Sequence, residues 1–232
     1  MIRSAALVPA APLLVPELGG QNPPLPELRA AVAHAVAGLV DGPPDVVAVV
    51  GPARATAVWP AGTPADFGPF LGRATAGRPA LPLALGLGAR LLHDAGYAGE
   101  TVWQAVAADA PSNACAALGR FLADTAGNIA LLVVGDGSAR RSLKAPGWFD
   151  ERAEAFDAAT ERAVSTGALG ALLDVDPDLA ETLQAAGRPA WQVLAGAADG
   201  APCRSDVGYA AAPLGVGYLV AALRFGHDRG QV

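Results

Sequence analysis

The sequence predicts one α/β domain spanning residues 1–232, with a largely parallel central sheet flanked by helices. Three observations predict it. Short continuous apolar runs of strand length, "PDVVAVVGP" (44–52) and "NIALLVVGDG" (128–137), read as strands covered on both faces. Stretches with helical spacing alternate with them. There is neither an internal repeat nor a clear linker to divide the chain.

The elements follow in order. "IRSAALVP" (2–9) is a first strand, after which Gly and Pro dominate to residue 25. Residues 25–41 form a helix whose stripe is Leu28, Val32, Val36 and Leu39. The second strand, 44–52, leads into a Gly- and Pro-rich surface loop over 60–80. A helix over 83–95 ends at Gly96 as its C-cap. "TVWQAV" (101–106) is a strand, and "PSNACAALGRFLADTAG" (111–127) starts with Pro and Ser and ends with Gly, as a helix does. The strand in 128–137 is the strongest. Residues 149–164 are amphipathic, with Phe149, Ala153, Phe156, Ala159 and Ala163 facing in. Helical segments at 176–186 and 189–197 precede two closing strands joined through Pro213.

Composition limits the function classes. Hydrophobic residues make up 52% and charged residues 16%, which supports a sizeable core. A net charge of -6 without a basic face argues against nucleic acid as a partner. Pro9, Pro12 and Pro16 interrupt the apolar start, so it reads as a strand and loop rather than a signal peptide. The sequence holds no long apolar span, so no membrane partner is expected. Cys115 and Cys203 read as reduced core residues of a cytoplasmic protein. Alanine supplies 54 of the 232 residues, and Lys144 is the single lysine against 15 arginines. Alanine is thus the default filler of this chain.

In open α/β sheets ligands bind at the carboxyl ends of strands. Three such junctions stand out: Pro9–Pro12, Gly51–Arg54 and Gly135–Arg141. "GDGSARR" can offer backbone N–H groups to an anion, with Arg140 and Arg141 as charge partners, and equally reads as a plain turn. "GLGARLL" (86–92) begins like a dinucleotide fingerprint but lacks the third Gly and reads as helix. Ser138 is not set in a nucleophile elbow. His34 (mid-helix, with room for partial burial), His93 and His227 sit away from the junctions. The cysteines and histidines have no zinc spacing. "DVDPD" (174–178) lacks the Gly and Glu of a calcium loop and reads as Asp176 capping a helix that begins at Pro177. Trp191 reads as helix packing. Trp59 and Trp148 stand in or beside loops, where they could line a pocket or shield structure from solvent.

Taken in order, "VPAAPLLVPEL", "DVVAVVGPAR", "LLVVGDGSARRS", "FDAATERAVSTGALGALLDVDPDLAETLQAAGRPAWQVLAGA" and "APLGVGYLVAAL" resemble the class III extradiol dioxygenase superfamily. This is the LigB-like fold, shared with the Memo-type proteins. The resemblance spans nearly the whole chain and rests on the order and spacing of these stretches. It implies a LigB-like fold and a non-haem Fe(II) held by two His and a carboxylate, with another His as acid/base. Such a centre needs a facial triad with open positions for a catechol and dioxygen.

Carried over residue by residue, the first ligand position falls in Ala10-Ala11-Pro12, at Ala10. The second falls in the Pro52-Ala53 pair, at Ala53, and the acid/base in Ser138-Ala139, at Ala139. The last ligand should precede "GRPAWQ". Residues 185–187 there are Ala-Ala-Gly, and Glu181 is the nearby carboxylate. Methyl groups neither ligate iron nor move protons. The expectation is a catalytically degenerate homologue that uses no cofactor and binds a small anionic or aromatic molecule, or a protein. Arg54, Asp136, Ser138, Arg140, Arg141 and Lys144 would form its pocket rim. The alternatives are an active oxidoreductase, with ligands placed elsewhere or with metal-free chemistry on Asp136, Ser138 and the Arg pair, and a structural subunit of a homo-oligomer.

Overall fold

The computed structural model describes residues 2–19, 24–42, 44–73, 77 and 79–226. Its strands are β1 (Ile2–Val8), β2 (Val46–Ala53), β3 (Ala57–Trp59), β4 (Glu100–Ala107), β5 (Ile129–Val134), β6 (Cys203–Ala211) and β7 (Tyr218–Phe225). They form one sheet in the order β3-β4-β2-β5-β1-β7-β6. The four central strands β4, β2, β5 and β1 run parallel. The edges β3, β7 and β6 are antiparallel to their neighbours. The sheet is therefore mixed, with a parallel centre rather than a parallel whole. After Pro202, β6 and β7 form a hairpin, whose two strands are antiparallel to each other, and β7 also joins β1 antiparallel.

Side chains of the central strands alternate between two apolar layers, the period of two that a sheet imposes. Ala5, Leu7, Ala48, Val50, Leu131 and Val133 pack on one face. Ala6, Val8, Val47, Val49, Leu132 and Val134 pack on the other. The second face is covered by α2 (Pro26–Val40) and α3 (Leu83–Asp94). The first is covered by α4 (Ser112–Ala123), α5 (Arg152–Ser165), α6 (Pro177–Thr182) and α7 (Arg188–Ala198). The short α1 (Pro16–Gly19) follows the 3-10 turn Pro12–Leu14.

Local chemistry explains most boundaries. Leu28, Val32, Val36 and Leu39 of α2 are all buried. Gly96, at φ +73°, ends α3 in the left-handed conformation that glycine adopts without penalty. The Asp176 carboxylate accepts from the Asp178 amide at 2.9 Å and caps α6, with Pro177 at its first position. Gly86 and Gly88 lie inside α3, and the missing side chain of Gly88 lets the helix sit against Val49. The α4 helix stops at Ala123, and a turn carries the chain on to Gly127.

The edge strand β3 was not visible in the sequence, and two readings are corrected. In α5 the inward stripe is Ala153, Phe156, Thr160 and Ala163, whereas Phe149 precedes the helix and is exposed, and Ala159 faces solvent. His34 is exposed rather than partly buried. Among the described residues no helix is long and apolar enough to cross a membrane.

Candidate functional site

The parallel centre brings the carboxyl ends of β1, β2 and β5 together. Val8 pairs with Val134, and Val50 with Val133. Beyond the strands, the Gly135 amide still donates to the Val8 carbonyl at 2.9 Å. This extension carries Asp136 to the start of the first loop, where the Ala10 amide donates to its Oδ1 at 2.8 Å. Ala10 is 8% exposed. Ala53 ends β2, opposite Ala107 of β4. Ala139 lies five residues past β5, its amide donating to the Leu183 carbonyl at 2.9 Å. Ala10 and Ala53 thus stand at the carboxyl ends of β1 and β2, whereas Ala139 lies in the loop beyond β5, against the end of α6.

Burial pushes the Asp136 carboxyl up to about 6, with the Ala10 amide acting in the opposite direction. Tyr218, buried at the start of β7, is pushed up to about 12, first by burial and then by the charges of Asp136 and Tyr209. Its phenol stays a neutral donor throughout the physiological range.

The six predicted rim residues do not form one rim. Asp136 is at the strand end. Ser138 is 0% exposed and turns toward α5, where its amide and hydroxyl both meet Asp157. It therefore cannot stand on a pocket rim. Arg141 follows it, bonding Asp157 at 3.1 Å and facing Glu154 at 3.6 Å. Arg140 is half-buried, and its Nε has no partner among the described residues. Arg54 and Lys144 point into solvent. The cause is a ladder past β5. Gly137 N–H donates to the Gly217 carbonyl, Gly217 N–H to the Ser138 carbonyl and Arg141 N–H to the Gly215 carbonyl. This pairing draws the loop toward the start of β7 and α5, leaving Asp136 behind.

The other candidates also disperse. His93 is 85% exposed on α3 and His34 is exposed on α2, so neither reaches the strand ends; His227 lies outside the described residues. Trp191 is buried within α7. Trp59 pairs with Trp103 in the edge strand, and Trp148 is 65% exposed, so it lines no enclosed pocket.

Three residues escaped the sequence reading. Asp157 sits four residues after Ala153 and three before Thr160, on the inward side of α5, and that register was the signal for it. Together with Arg141, Glu154, Trp191 and Tyr218 it lines a cavity of about 160 Å³. Arg188 is buried at the start of α7 and held by Gln192 four residues on. Tyr218 had no signal beyond its place after "GVG".

The described residues do not fit an Fe(II) centre of the extradiol type. Among the described residues no three His, Cys, Asp or Glu gather closely enough to hold a metal ion. The acid at the strand end, Asp136, is bound to a backbone amide.

These features define an α/β chain with a mixed seven-stranded sheet and a site edge without histidine among the described residues. No protein-family model matches the chain. No curated protein matches it either. Its fold is similar to known structures, among them the crystal structure of the uncharacterized protein JW3007 from Escherichia coli K12. That similarity covers 97% of this chain and 100% of the other, at 15% identity and a TM-score of 0.54. It establishes the α/β architecture and nothing finer.

Proposed function

We propose that this protein is a LigB-like domain without the iron site, a catalytically degenerate relative of the extradiol dioxygenases. It binds a small anionic or aromatic molecule at the carboxyl edge of its sheet. The observation that carries the reading is alanine at residues 10, 53 and 139, the positions to which the resemblance carries histidines. Asp136 and Tyr218 supply an acceptor and a neutral donor at that edge, which suits a ligand hydroxyl such as a phenol.

Metal analysis and oxygen uptake test it. Protein purified from iron-supplemented cells is expected to hold iron far below one equivalent and to consume no oxygen with catechols. Near-stoichiometric iron, with catechol-dependent uptake lost on chelation, overturns it in favour of an active oxidoreductase.

One observation favours a second reading, a subunit role in a homo-oligomer. Leu143, Trp148 and Phe149 are all exposed on a single loop, and apolar side chains gathered at a surface mark interaction sites. Light scattering on wild-type and W148S protein separates the two readings. A monomer in both cases removes the subunit role.

A further inference from the structure

The geometry points to a second binding site, apart from the strand-end alanines: a pocket at the start of α7 that takes a small zwitterion of the aliphatic α-amino-acid class, its carboxylate paired with Arg188. The inference stands whether or not the strand-end edge binds anything.

Arg188 is 2% exposed yet lines a cavity of about 390 Å³ between the end of β4 and the α6–α7 connection. That volume lies in the lower part of the range of about 300–1,000 Å³ typical of small-ligand sites. Nη1 donates to the Ala110 carbonyl and to Gln192 Oε1, both at 2.8 Å, and Nη2 donates to the Ala108 carbonyl at 2.5 Å. These bonds use three of the five guanidinium hydrogens. The Nε hydrogen and one Nη2 hydrogen have no acceptor among the described residues.

All three acceptors are neutral. No carboxylate of the described residues lies within ion-pair distance of Arg188. The Cys115 thiol feels the Arg188 charge, but burial pushes its titration up, so it supplies no anion. Arg188 is also the first residue of α7, where the helix dipole is positive. A buried cation at a positive helix end, with neutral acceptors only, is electrostatically costly. A bound anion supplies the missing counter-charge. A guanidinium with free donors on Nε and Nη2 matches a planar carboxylate through two parallel hydrogen bonds.

The mouth of the cavity has the opposite character. Asp109, Asp178 and Glu181 line it and are exposed. Three carboxylates repel a simple anion, and a dianionic phosphate most of all, and they attract an ammonium group. The buried wall beside Arg188 is apolar, with Ala180, Ala185 and Pro189. A carboxylate at the floor, an ammonium at the mouth and an aliphatic group between them describe an aliphatic α-amino acid.

Isothermal titration of the full chain tests this with L-alanine, L-valine and L-leucine, each against the acid lacking its amine and the amine lacking its carboxylate. At least one amino acid is expected to bind about tenfold or more tighter than both counterparts. R188Q, if it folds, is expected to lose that binding. A D109N/E181Q double variant changes only exposed side chains and decides the matter if R188Q does not fold. It is expected to bind the amino acid no better than the matched acid. The proposal is overturned if none of the three amino acids binds, if the acid or the amine binds as tightly, if folded R188Q binds normally, or if the double variant keeps the preference for the amino acid.

Discussion

Ser138 gives both of its donors to Asp157: its amide at 2.8 Å to one carboxylate oxygen and its hydroxyl at 2.7 Å to the other. Arg141 adds a third donor at 3.1 Å. Glycine makes the room. A Cβ on Gly137 would stand 2.6 Å from Asp157 Oδ1, and one on Gly217 would stand 2.7 Å from its Cγ. The loop after β5 is thus fastened to α5 by one carboxylate, and the serine that looked like a site residue is part of the fastening.

The two partners should therefore differ in what their loss costs. S138A removes one charge-assisted bond and leaves the carboxylate with two donors, a loss of about 1.5–3 kcal/mol. D157A leaves a buried amide, a buried hydroxyl and a guanidinium without their acceptor, about 3–5 kcal/mol. Urea midpoints of the two variants check the order. Equal midpoints, or a greater loss in S138A, would contradict it.

Asp136 makes stability depend on pH. Burial raises its folded-state pKa from 3.8 to about 6, so the folded protein holds this proton more tightly than the unfolded chain. The contribution is full below pH 4, declines as pH rises through 6, and is gone above. Two pKa units correspond to at most about 3 kcal/mol. D136N keeps an oxygen for the Ala10 amide and has no proton to lose. The stability of D136N relative to wild type should rise between pH 4 and pH 6 and level off by pH 7. A flat difference across that window would show that Asp136 titrates normally.

Arg54 and Lys144 extend into solvent, and neither has a hydrogen bond or an ion pair among the described residues. R54A and K144A should each shift the unfolding free energy by less than about 0.5 kcal/mol. Denaturant titration checks this. A larger loss in either variant would mean that its side chain is held in solution.

The central strands could be read from sequence because each is a continuous apolar run, and burial on both faces leaves no polar residue to confuse the pattern. The edge strand β3 is three residues long, too short to show any period. The register of α5 was misjudged for a different reason. Alanine stands at 153, 155, 158, 159 and 163, so nearly every choice of face looks apolar. The start of that helix is fixed by Asp150, whose carboxylate accepts from the Arg152 amide at 3.0 Å and leaves Phe149 in the loop before it.

The site was less legible, and the reason is long-range pairing. Polar residues after a strand suggest a rim only if the loop stays at the strand end. Here the bonds from Gly137, Gly217 and Arg141 turn it away toward β7, a partner about eighty positions on that local pattern does not reveal. Asp136 escapes that turn because it precedes the ladder. Arg188 was hidden differently. An arginine at the first position of a helix reads as a surface cation, and only the tertiary fold places carbonyls 78 and 80 positions earlier around its guanidinium.

The tightest constraint on the fold is the crossing of α4 and α7. A Cβ on Gly119 would stand 2.5 Å from the Ala197 amide nitrogen, and one on Gly196 would stand 2.5 Å from the Ala116 Cα. In both cases the obstacle is backbone, which cannot rotate out of the way as a side chain can. Alanine favours an isolated helix over glycine by about 1 kcal/mol, so propensity alone predicts that G119A and G196A stabilise. Overpacking opposes this with about 1–3 kcal/mol or more where the neighbours cannot yield. Both variants should therefore lose stability. Gly170 supplies the contrast: its Cβ would meet nothing within 4 Å. G170A should be neutral, or stabilising by up to about 1 kcal/mol through the unfolded state. Thermal unfolding of the three variants decides between propensity and packing. A rise in midpoint for G119A and G196A to match G170A would mean that the two helices do not meet backbone to backbone.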